Sequence, residues 1–172
     1  MKRTVSFIIV LLMFGACLAS CSANEAPEGY QLISSDEVAY RFYAPMSWSV
    51  NNAGGVDSVY YSPSDPAMVM VTYYTPDAEH SDIESYWAYV EGEYKTNYEE
   101  YTLVSSGMAT LGKRNAVKYV FTAKIAGVYY KVMQLISGYG NYYYTMTYMA
   151  SPETFDAHLD DVDGMVTEFV FR

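Results

Sequence analysis

The residues that could act as catalytic bases in this chain are two histidines, His80 and His158. Catalysis of the Ser-His-Asp or Cys-His kind requires a base beside a nucleophile. His80 stands in a loop before a predicted helix and His158 near the polar boundary of another, so both are predicted to lie on the surface. The acidic pairs Glu99-Glu100 and Asp160-Asp161 are predicted to be solvated, because adjacent residues on a helix point in different directions. No catalytic site is predicted, and a hydrolase ranks third among the hypotheses.

Two short patterns contain residue types that bind metal ions. Asp161-Val162-Asp163-Gly164 is similar to part of a calcium loop, but Val170 occupies the position that requires a bidentate glutamate. Met68 and Met70 place two thioethers on one strand face, which is the chemistry of a Cu(I) site, although methionine more commonly fills irregular core space. Neither a metal ion nor a cofactor is predicted.

Cysteine chemistry is expected at Cys21, which ends the run Leu18-Ala19-Ser20-Cys21. The run follows basic residues at 2–3 and an apolar stretch at 5–14, the layout of a secretory signal peptide with its cleavage site. The four residues resemble the lipobox of bacterial lipoproteins, in which the cysteine becomes the first mature residue and carries a diacylglyceryl group. Cys17 lies in the segment to be removed, so Cys21 has no disulfide partner left. An ordinary secretory peptide with an incidental cysteine is the alternative.

These features predict an extracytoplasmic protein that is anchored to a bacterial cell membrane by lipid. Residues 1–20 are predicted to be the lipoprotein signal peptide, 21–29 the lipidated cysteine and a tether, and 30–172 one globular domain. The early apolar stretch is too short for a spanning helix of about 20 residues. The formal net charge of -10 argues against a nucleic acid partner, because such binding needs a basic surface.

Tyrosine is the unusual feature of the composition, with 20 in the chain. Many stand in adjacent groups: Tyr60-Tyr61, Tyr73-Tyr74, Tyr129-Tyr130 and Tyr142-Tyr143-Tyr144. Adjacent strand residues point to opposite sheet faces, so these groups cannot lie wholly in one core. The structural interpretation is that phenols suit half-buried strand positions. The functional interpretation is a shallow aromatic surface for a peptide, glycan or partner protein, with the candidate residues Tyr129, Tyr130, Tyr142, Tyr143 and Tyr144.

The elements that would position these tyrosines centre on a predicted antiparallel meander over residues 116–149. In its first strand an apolar set alternates with a mixed one, which predicts one apolar and one mixed sheet face; the apolar set is Val117, Tyr119, Phe121, Ala123 and Ile125. Turns at 126–127 and 138–141 separate the three strands. Shorter strands are predicted at 32–33, 38–43, 48–50, 58–61, 68–74, 103–108 and 169–171.

Two amphipathic helices are predicted to cover this sheet. Ser81 and Glu84 have the spacing of a capping box that begins the first helix, whose apolar stripe is Ile83, Tyr86, Trp87, Val90 and Tyr94. Ser151 and Pro152 are predicted to begin the second helix, whose inner face is Phe155, Leu159, Val162, Val166 and Phe169. The pattern predicts an α+β fold, an antiparallel sheet covered by helices, with Trp48 and Trp87 beneath opposite ends of one core.

Two local patterns point to a known family. One is the aromatic strand followed by Pro-x-x-Trp over residues 40–48. The other is Tyr148-Met149-Ala150-Ser151-Pro152 with Phe155 and the closing Phe169-Val170-Phe171. Together they resemble the PsbP-like family, named after the extrinsic PsbP protein of photosystem II and spread through many bacterial lipoproteins. The order of elements agrees across nearly the whole mature chain. The resemblance implies an α/β/α sandwich and a role in binding or assembly in place of catalysis, and it supplies no site residue.

The leading hypothesis is therefore a non-enzymatic, lipid-anchored domain that binds an envelope protein or glycan through an aromatic face. The alternative is a lipoprotein that binds a small ligand or metal ion in a pocket under the helices. A flat, exposed tyrosine patch favours the first hypothesis, and a closed apolar pocket with convergent polar groups favours the second.

Overall fold

The structure, a computed structural model, describes residues 25–51 and 53–172. The predicted signal peptide, Cys21 and the first residues of the predicted tether lie outside the described residues. In the described chain no helix is long and apolar enough to cross a membrane. The amide of Tyr30 donates to the carbonyl of Pro27, and the amide of Met46 donates to that of Gly29, each at 3.0 Å. The chain is thus attached to the domain from residue 27 onward.

An antiparallel sheet of seven strands dominates the described part of the chain. The strands are β1 Tyr30–Leu32, β2 Tyr40–Arg41, β3 Tyr43–Pro45, β4 Ser49–Val50, β5 Asp57–Ser62, β6 Asp65–Tyr74, β7 Glu99–Leu111, β8 Arg114–Ile125, β9 Val128–Tyr139, β10 Tyr142–Ala150 and β11 Val170–Phe171. Their order in the large sheet is β4-β5-β6-β10-β9-β8-β7. The predicted meander is confirmed, because β8, β9 and β10 are consecutive neighbours joined by two-residue turns. Two short pairs, β1 with β3 and β2 with β11, pack outside this sheet.

Both faces of the sheet are buried, each in a hydrophobic core of its own. Helix α1, Ile83–Asn97, covers one face, where Trp87 packs with Tyr119, Phe121 and other residues of β8 to β10. The opposite face packs on the two short strand pairs and on helix α2, Leu159–Thr167, and contains Trp48. The prediction of both tryptophans in one core is therefore wrong, because the sheet separates two cores. The predicted mixed face of β8 is confirmed: Lys118 on it is exposed, whereas Ala116 and Val120 on it are buried in the second core.

Helix α1 begins one residue later than its predicted capping box. Asp82 is the N-cap: its Oδ1 accepts from the amide of Ser85 at 2.7 Å, and Ser85 Oγ accepts from the amide of Asp82 at 3.3 Å. The box predicted at Ser81 and Glu84 is wrong, because a carboxylate is a stronger acceptor than a hydroxyl for the free amides of the first turn. The predicted stripe is confirmed and faces the sheet: Ile83, Tyr86, Trp87, Val90 and Tyr94.

The second helix is shorter than predicted. A 3-10 turn, Phe155–His158, precedes α2, and Ser151 and Pro152 lie in a turn before it. The hydroxyl of Tyr148 donates to the carbonyl of Phe155 at 2.8 Å. This carbonyl is therefore bound to a side chain of the sheet at a position that was predicted to lie inside the helix. The inner face is confirmed: Phe155, Leu159, Val162, Val166 and Phe169 all pack into the second core.

Candidate functional site

The five tyrosines proposed as a binding surface do not come together on one surface. Tyr142 and Tyr144 lie on the α2 side of the sheet, whereas Tyr143 points to the α1 side, with its ring centroid 5.5 Å from that of Tyr86. Tyr129 and Tyr130 lie at the other end of β9, beside the turn to β8. Tyr130 is half-buried in the α1 core and Tyr129 is 43% exposed.

Tyr142 and Tyr144 meet two tyrosines from other elements. The register of β6 and β10 sets Tyr144 directly opposite Tyr73, and alternation places Tyr142 on the same face as Tyr144. The ring centroid of Tyr73 lies 5.4 Å from that of Tyr142 and 6.1 Å from that of Tyr144. Tyr40 of β2 completes the group, 5.7 Å from Tyr144.

We call this site the tyrosine cleft: the rings of Tyr40, Tyr73, Tyr142 and Tyr144 facing the loop Glu37 to Ala39. These residues enclose an open space of about 200 Å³. A second open space, of about 530 Å³, shares Tyr40 and Tyr73 and continues to Asp57. The two spaces are neighbours, since Glu37, Val38, Tyr40 and Tyr73 line both.

The cleft has a buried floor and an exposed rim. Tyr40 and Tyr144 are 3% and 4% exposed, whereas Tyr73 and Tyr142 are 64% and 39% exposed. Tyr40 is held from below, because its ring stacks on Phe169 at 5.3 Å. The floor is therefore rigid, and the rim is available to another molecule.

The loop that forms the opposite wall is fixed by hydrogen bonds. Ser34 Oγ donates to the carbonyl of Tyr40 and accepts from the amide of Phe42. Arg172 donates from Nε to the carbonyl of Val38 at 2.9 Å and from Nη2 to the carbonyls of Ser35 and Asp36. The strand pairing of Tyr40 with Phe171 brings Arg172 to this loop. The last strand thus shapes the cleft.

The polar groups of the cleft are phenols and carboxylates. The hydroxyl of Tyr40 donates to Asp57 Oδ2 at 2.6 Å, and burial together with this bond raises the pKa of Tyr40 well above its usual value. Burial also raises the pKa of Tyr144, with a further contribution from Tyr142 and Tyr73. Both phenols are therefore neutral at physiological pH.

His158 is buried, so its prediction as a surface histidine is wrong. Its Nε2 lies 2.8 Å from Asp65 Oδ2, and its ring centroid lies 4.2 Å from that of Tyr61. The bond to His158 lowers the pKa of Asp65. The Thr154 hydroxyl donates to Asp65 at 3.2 Å and not to the imidazole, so this arrangement lacks the contact between nucleophile and base. The hydrogen bond between Asp65 and His158 joins the start of β6 to the 3-10 turn.

His80 lies in the loop before α1, half-buried. Its Nδ1 lies 2.9 Å from Asp77 Oδ1, and the hydroxyl of Tyr74 donates to Asp77 Oδ2 at 2.9 Å. The hydrogen bonds from His80 and Tyr74 lower the pKa of Asp77 to about 2. Asp77 also accepts from the amides of Glu79 and His80, so the cluster shapes the loop.

The calcium-like run 161–164 is part of helix α2 and its packing, whereas Met68 and Met70 are half-buried on β6. Trp48 Nε1 donates to Asp161 Oδ2 at 2.8 Å, and Asp163 and Gly164 continue helix α2. Over residues 25–51 and 53–172, no group of three or more His, Cys, Asp or Glu side chains could hold a metal ion.

The space beneath α1 is filled where Trp87 stacks on Tyr119, with ring centroids 3.8 Å apart. An open groove of about 460 Å³ follows at the sheet edge, between α1 and β7, where Leu103 and Met108 line it. This groove is open along its length and differs from the closed pocket that would favour a small ligand.

Neither a known family model nor a curated protein sequence matches the chain. Solved structures do resemble it. A Pseudomonas aeruginosa protein of unknown function, described as a putative regulator, is 12% identical with a TM-score of 0.61, over 83% of this chain and 97% of that one. Cyanobacterial PsbP from Synechocystis is 12% identical with a TM-score of 0.57, over 90% and 99%. A Bacteroides thetaiotaomicron protein is 15% identical with a TM-score of 0.51, over 78% and 45%.

At these identities the likeness concerns the fold alone. The chain has an α+β fold similar to that of PsbP, as the sequence patterns predicted. Sequence reasoning found two of the four cleft tyrosines, and it missed Tyr73 and Tyr40 as partners. The signal for Tyr73 was its place in a tyrosine pair, but the register that brings it to Tyr144 is a property of the folded sheet.

Proposed function

We propose that this protein is a non-enzymatic, extracytoplasmic binding protein, anchored to a bacterial cell membrane through lipid on Cys21, and that it binds an envelope protein or glycan through the tyrosine cleft. The observation that carries the proposal is the pair of exposed rings, Tyr73 and Tyr142, above a rigid aromatic floor. Large, rigid aromatic side chains that become desolvated on contact are the residues that dominate binding energy.

The exposure of Tyr73 favours a binding role over a packing role. A tyrosine that is 64% exposed contributes little to the core, yet its ring lies against those of Tyr142 and Tyr144 in the cleft. Burying such rings against a partner is favourable by about 25 cal/mol per Å² of apolar surface. The fold supports the same reading, since the resemblance to the PsbP-like family implies binding or assembly.

The position of the cleft relative to the anchor supports an outward-facing site. The chain enters the domain at β1, where Gln31 Nε2 donates to the carbonyl of Trp48 at 2.7 Å. Trp48 lies beside His158, at the Asp65 end of β6. Tyr73 lies at the other end of that strand, whose ten residues extend for roughly 30 Å at about 3.3 Å per residue. A lipid on Cys21 would thus hold the Asp65 end near the membrane and direct the cleft away from it.

Site-specific photo-crosslinking in cells tests this function. A benzophenone amino acid replaces Tyr73 in one variant and Tyr129 in a control, since Tyr129 is also an exposed tyrosine but lies at the opposite end of the sheet. We expect discrete crosslinked species from position 73 that disappear when Tyr142→Ser is added, and none from position 129. Identical species from both positions, or species that persist with Tyr142→Ser, would contradict binding through the cleft.

A further inference from the structure

We infer that the tyrosine cleft selects organic cations of the ammonium class over neutral and anionic groups. The inference rests on the proposed binding role of the cleft and adds the chemical class of the group that enters it. Three features of the described residues support it: the charge of the lining, the ring faces, and the size of the space.

The lining is acidic. Glu37 lines both spaces and Asp57 lines the second, and none of the described residues that line them is basic. The nearby guanidinium groups of Arg41 and Arg172 lie 2.8 and 3.6 Å from the carboxylate of Asp36, and Arg172 also donates to backbone carbonyls of the loop. An anion in the first space would meet an acidic residue and neutral phenols, whereas a cation would meet complementary charge.

The aromatic rings add a second attraction for cations. The face of a phenol ring carries negative electrostatic potential, and an ammonium group within about 6 Å of the ring centroid is attracted to it. The rings of Tyr73 and Tyr142 are inclined at 80°, and those of Tyr40 and Tyr144 at 77°. Rings that line one space at such angles contact a compact cation from more than one direction, which a flat stack of rings does not allow.

The first space has the volume that this class of group requires. Its 200 Å³ corresponds to about six or seven water molecules at roughly 30 Å³ each. A trimethylammonium or lysine ammonium group with its adjoining carbons fits such a volume, whereas a folded peptide segment does not. The ligand would thus place a cationic tip in the cleft and the rest of its surface against the rim.

A pair of probes of equal shape separates charge from hydrophobicity. Choline and its neutral carbon isostere, 3,3-dimethyl-1-butanol, are titrated into the mature lipidated protein in a maltoside detergent, and binding is followed by calorimetry. We expect choline to bind at least tenfold more tightly than the isostere, and acetate not to bind. N-acetyl-lysine amide is a third probe, which identifies the origin of the cationic group that the cleft binds. Tighter binding of this probe than of choline would mean that the group is a lysine side chain, and the reverse would mean that it is a quaternary headgroup.

Two substitutions locate the binding in the cleft. Tyr73→Leu keeps an apolar side chain but removes the ring, and Glu37→Gln removes one charge; each should weaken choline binding at least fivefold. Tyr129→Leu is the matched control and should leave it unchanged. Equal binding of choline and its isostere, absence of choline binding, or choline binding that neither substitution weakens would overturn the inference. Crosslinks from position 73 that depend on Tyr142 would in that case still support the proposed binding role, so the two failures are distinguishable.

Discussion

At the scale of single residues, neighbouring tyrosines of one strand have different physical roles. Tyr143 and Tyr144 are both buried, in different cores, while Tyr142 and Tyr73 remain at the rim of the cleft. The same side chain thus contributes to stability at one position and is available for binding two positions away. Substitution of these residues should separate the two contributions.

We expect Tyr144→Ser to lower the free energy of unfolding by about 3 kcal/mol, as truncation of a large aromatic side chain in a core does. Tyr73→Ser should lower it by less than about 0.5 kcal/mol, because substitutions at exposed positions have small effects. Urea unfolding of both variants measures the difference. Equal losses of unfolding free energy would mean that Tyr73 packs as a core residue and is not part of an exposed rim of the cleft.

Gly164 shows a second effect at this scale, a glycine whose backbone lies against another side chain. In an exposed helix, Gly→Ala stabilises by up to about 1 kcal/mol. A Cβ at position 164 would lie 2.1 Å from the hydroxyl oxygen of Tyr30 but 3.3 Å from its Cζ. Gly164→Ala should therefore destabilise the protein.

The double variant Gly164→Ala with Tyr30→Phe tests the cause, because it removes the oxygen that collides. We expect it to regain most of the lost stability in thermal unfolding, as coupled neighbouring sites do. If Gly164→Ala alone stabilises the protein, the close packing of Tyr30 on α2 is wrong.

At the scale of elements, the spacing of apolar residues and the turn residues predicted most strands and both helices. The errors lie at helix ends whose position is set by tertiary contacts. The N-cap of α1 moved by one residue because Asp82 competes with Ser81. The start of α2 moved because Tyr148 and Asp65 bind the 3-10 turn from the sheet. A sequence pattern contains no information on which distant hydroxyl or carboxylate will reach a helix start.

The bond between Asp65 and His158 should appear in the pH dependence of stability. The pKa of Asp65 in the folded protein is lowered, mainly by the His158 hydrogen bond. The Asp65 carboxylate therefore contributes to the free energy of unfolding above its unfolded pKa of 3.8, and this contribution is lost as the pH falls through the folded pKa. We expect Asp65→Asn to be less stable than wild type at pH 6, with a smaller difference at pH 3. Asp77 titrates in the same range, so the comparison between variants in urea unfolding isolates Asp65. A difference independent of pH would contradict the assignment.

The edge strand β7 gives a prediction about association. Ten of its thirteen residues are exposed, including Val104 and Met108, and the segment from 101 to 112 contains no charged residue. Exposed, uncharged edges promote pairing between molecules. Met108→Lys should reduce light scattering on concentration while leaving the unfolding free energy within about 0.5 kcal/mol.

Met46→Lys is the matched control, because Met46 is 73% exposed and Met108 is 77% exposed, but Met46 lies in a turn. An equal reduction in scattering by both variants would attribute the effect to net charge and not to the strand edge.

At the scale of the whole molecule, the resemblance to the PsbP-like family implied an α/β/α sandwich, but the residue pattern placed both tryptophans in one core. Tyr119 and Val120 are adjacent and both buried, on opposite sides of the sheet. The face of β8 with Lys118 and Lys124 is mixed, and its apolar residues Ala116 and Val120 are buried in the second core. The cleft is likewise a property of the whole molecule, since its four tyrosines come from strands far apart in the sequence and meet through register and through the pairing of β2 with β11.

The arrangement of anchor and cleft leads to the last prediction. Cys21→Ser should prevent lipid attachment and release the protein from the membrane fraction, because two acyl chains bind firmly at about 0.8 kcal/mol per buried CH₂ and nothing replaces them. Crosslinks from position 73 should be lost in cells with this variant if the partner is a resident of the envelope surface. The released protein should still bind the partner in solution, since the chain enters the domain at β1, at the end opposite the cleft. Membrane fractionation and crosslinking of the same cells measure both effects. A variant that stays with the membrane as fully as wild type would refute the lipid anchor, and one that is released but no longer binds in solution would refute the independence of anchor and cleft.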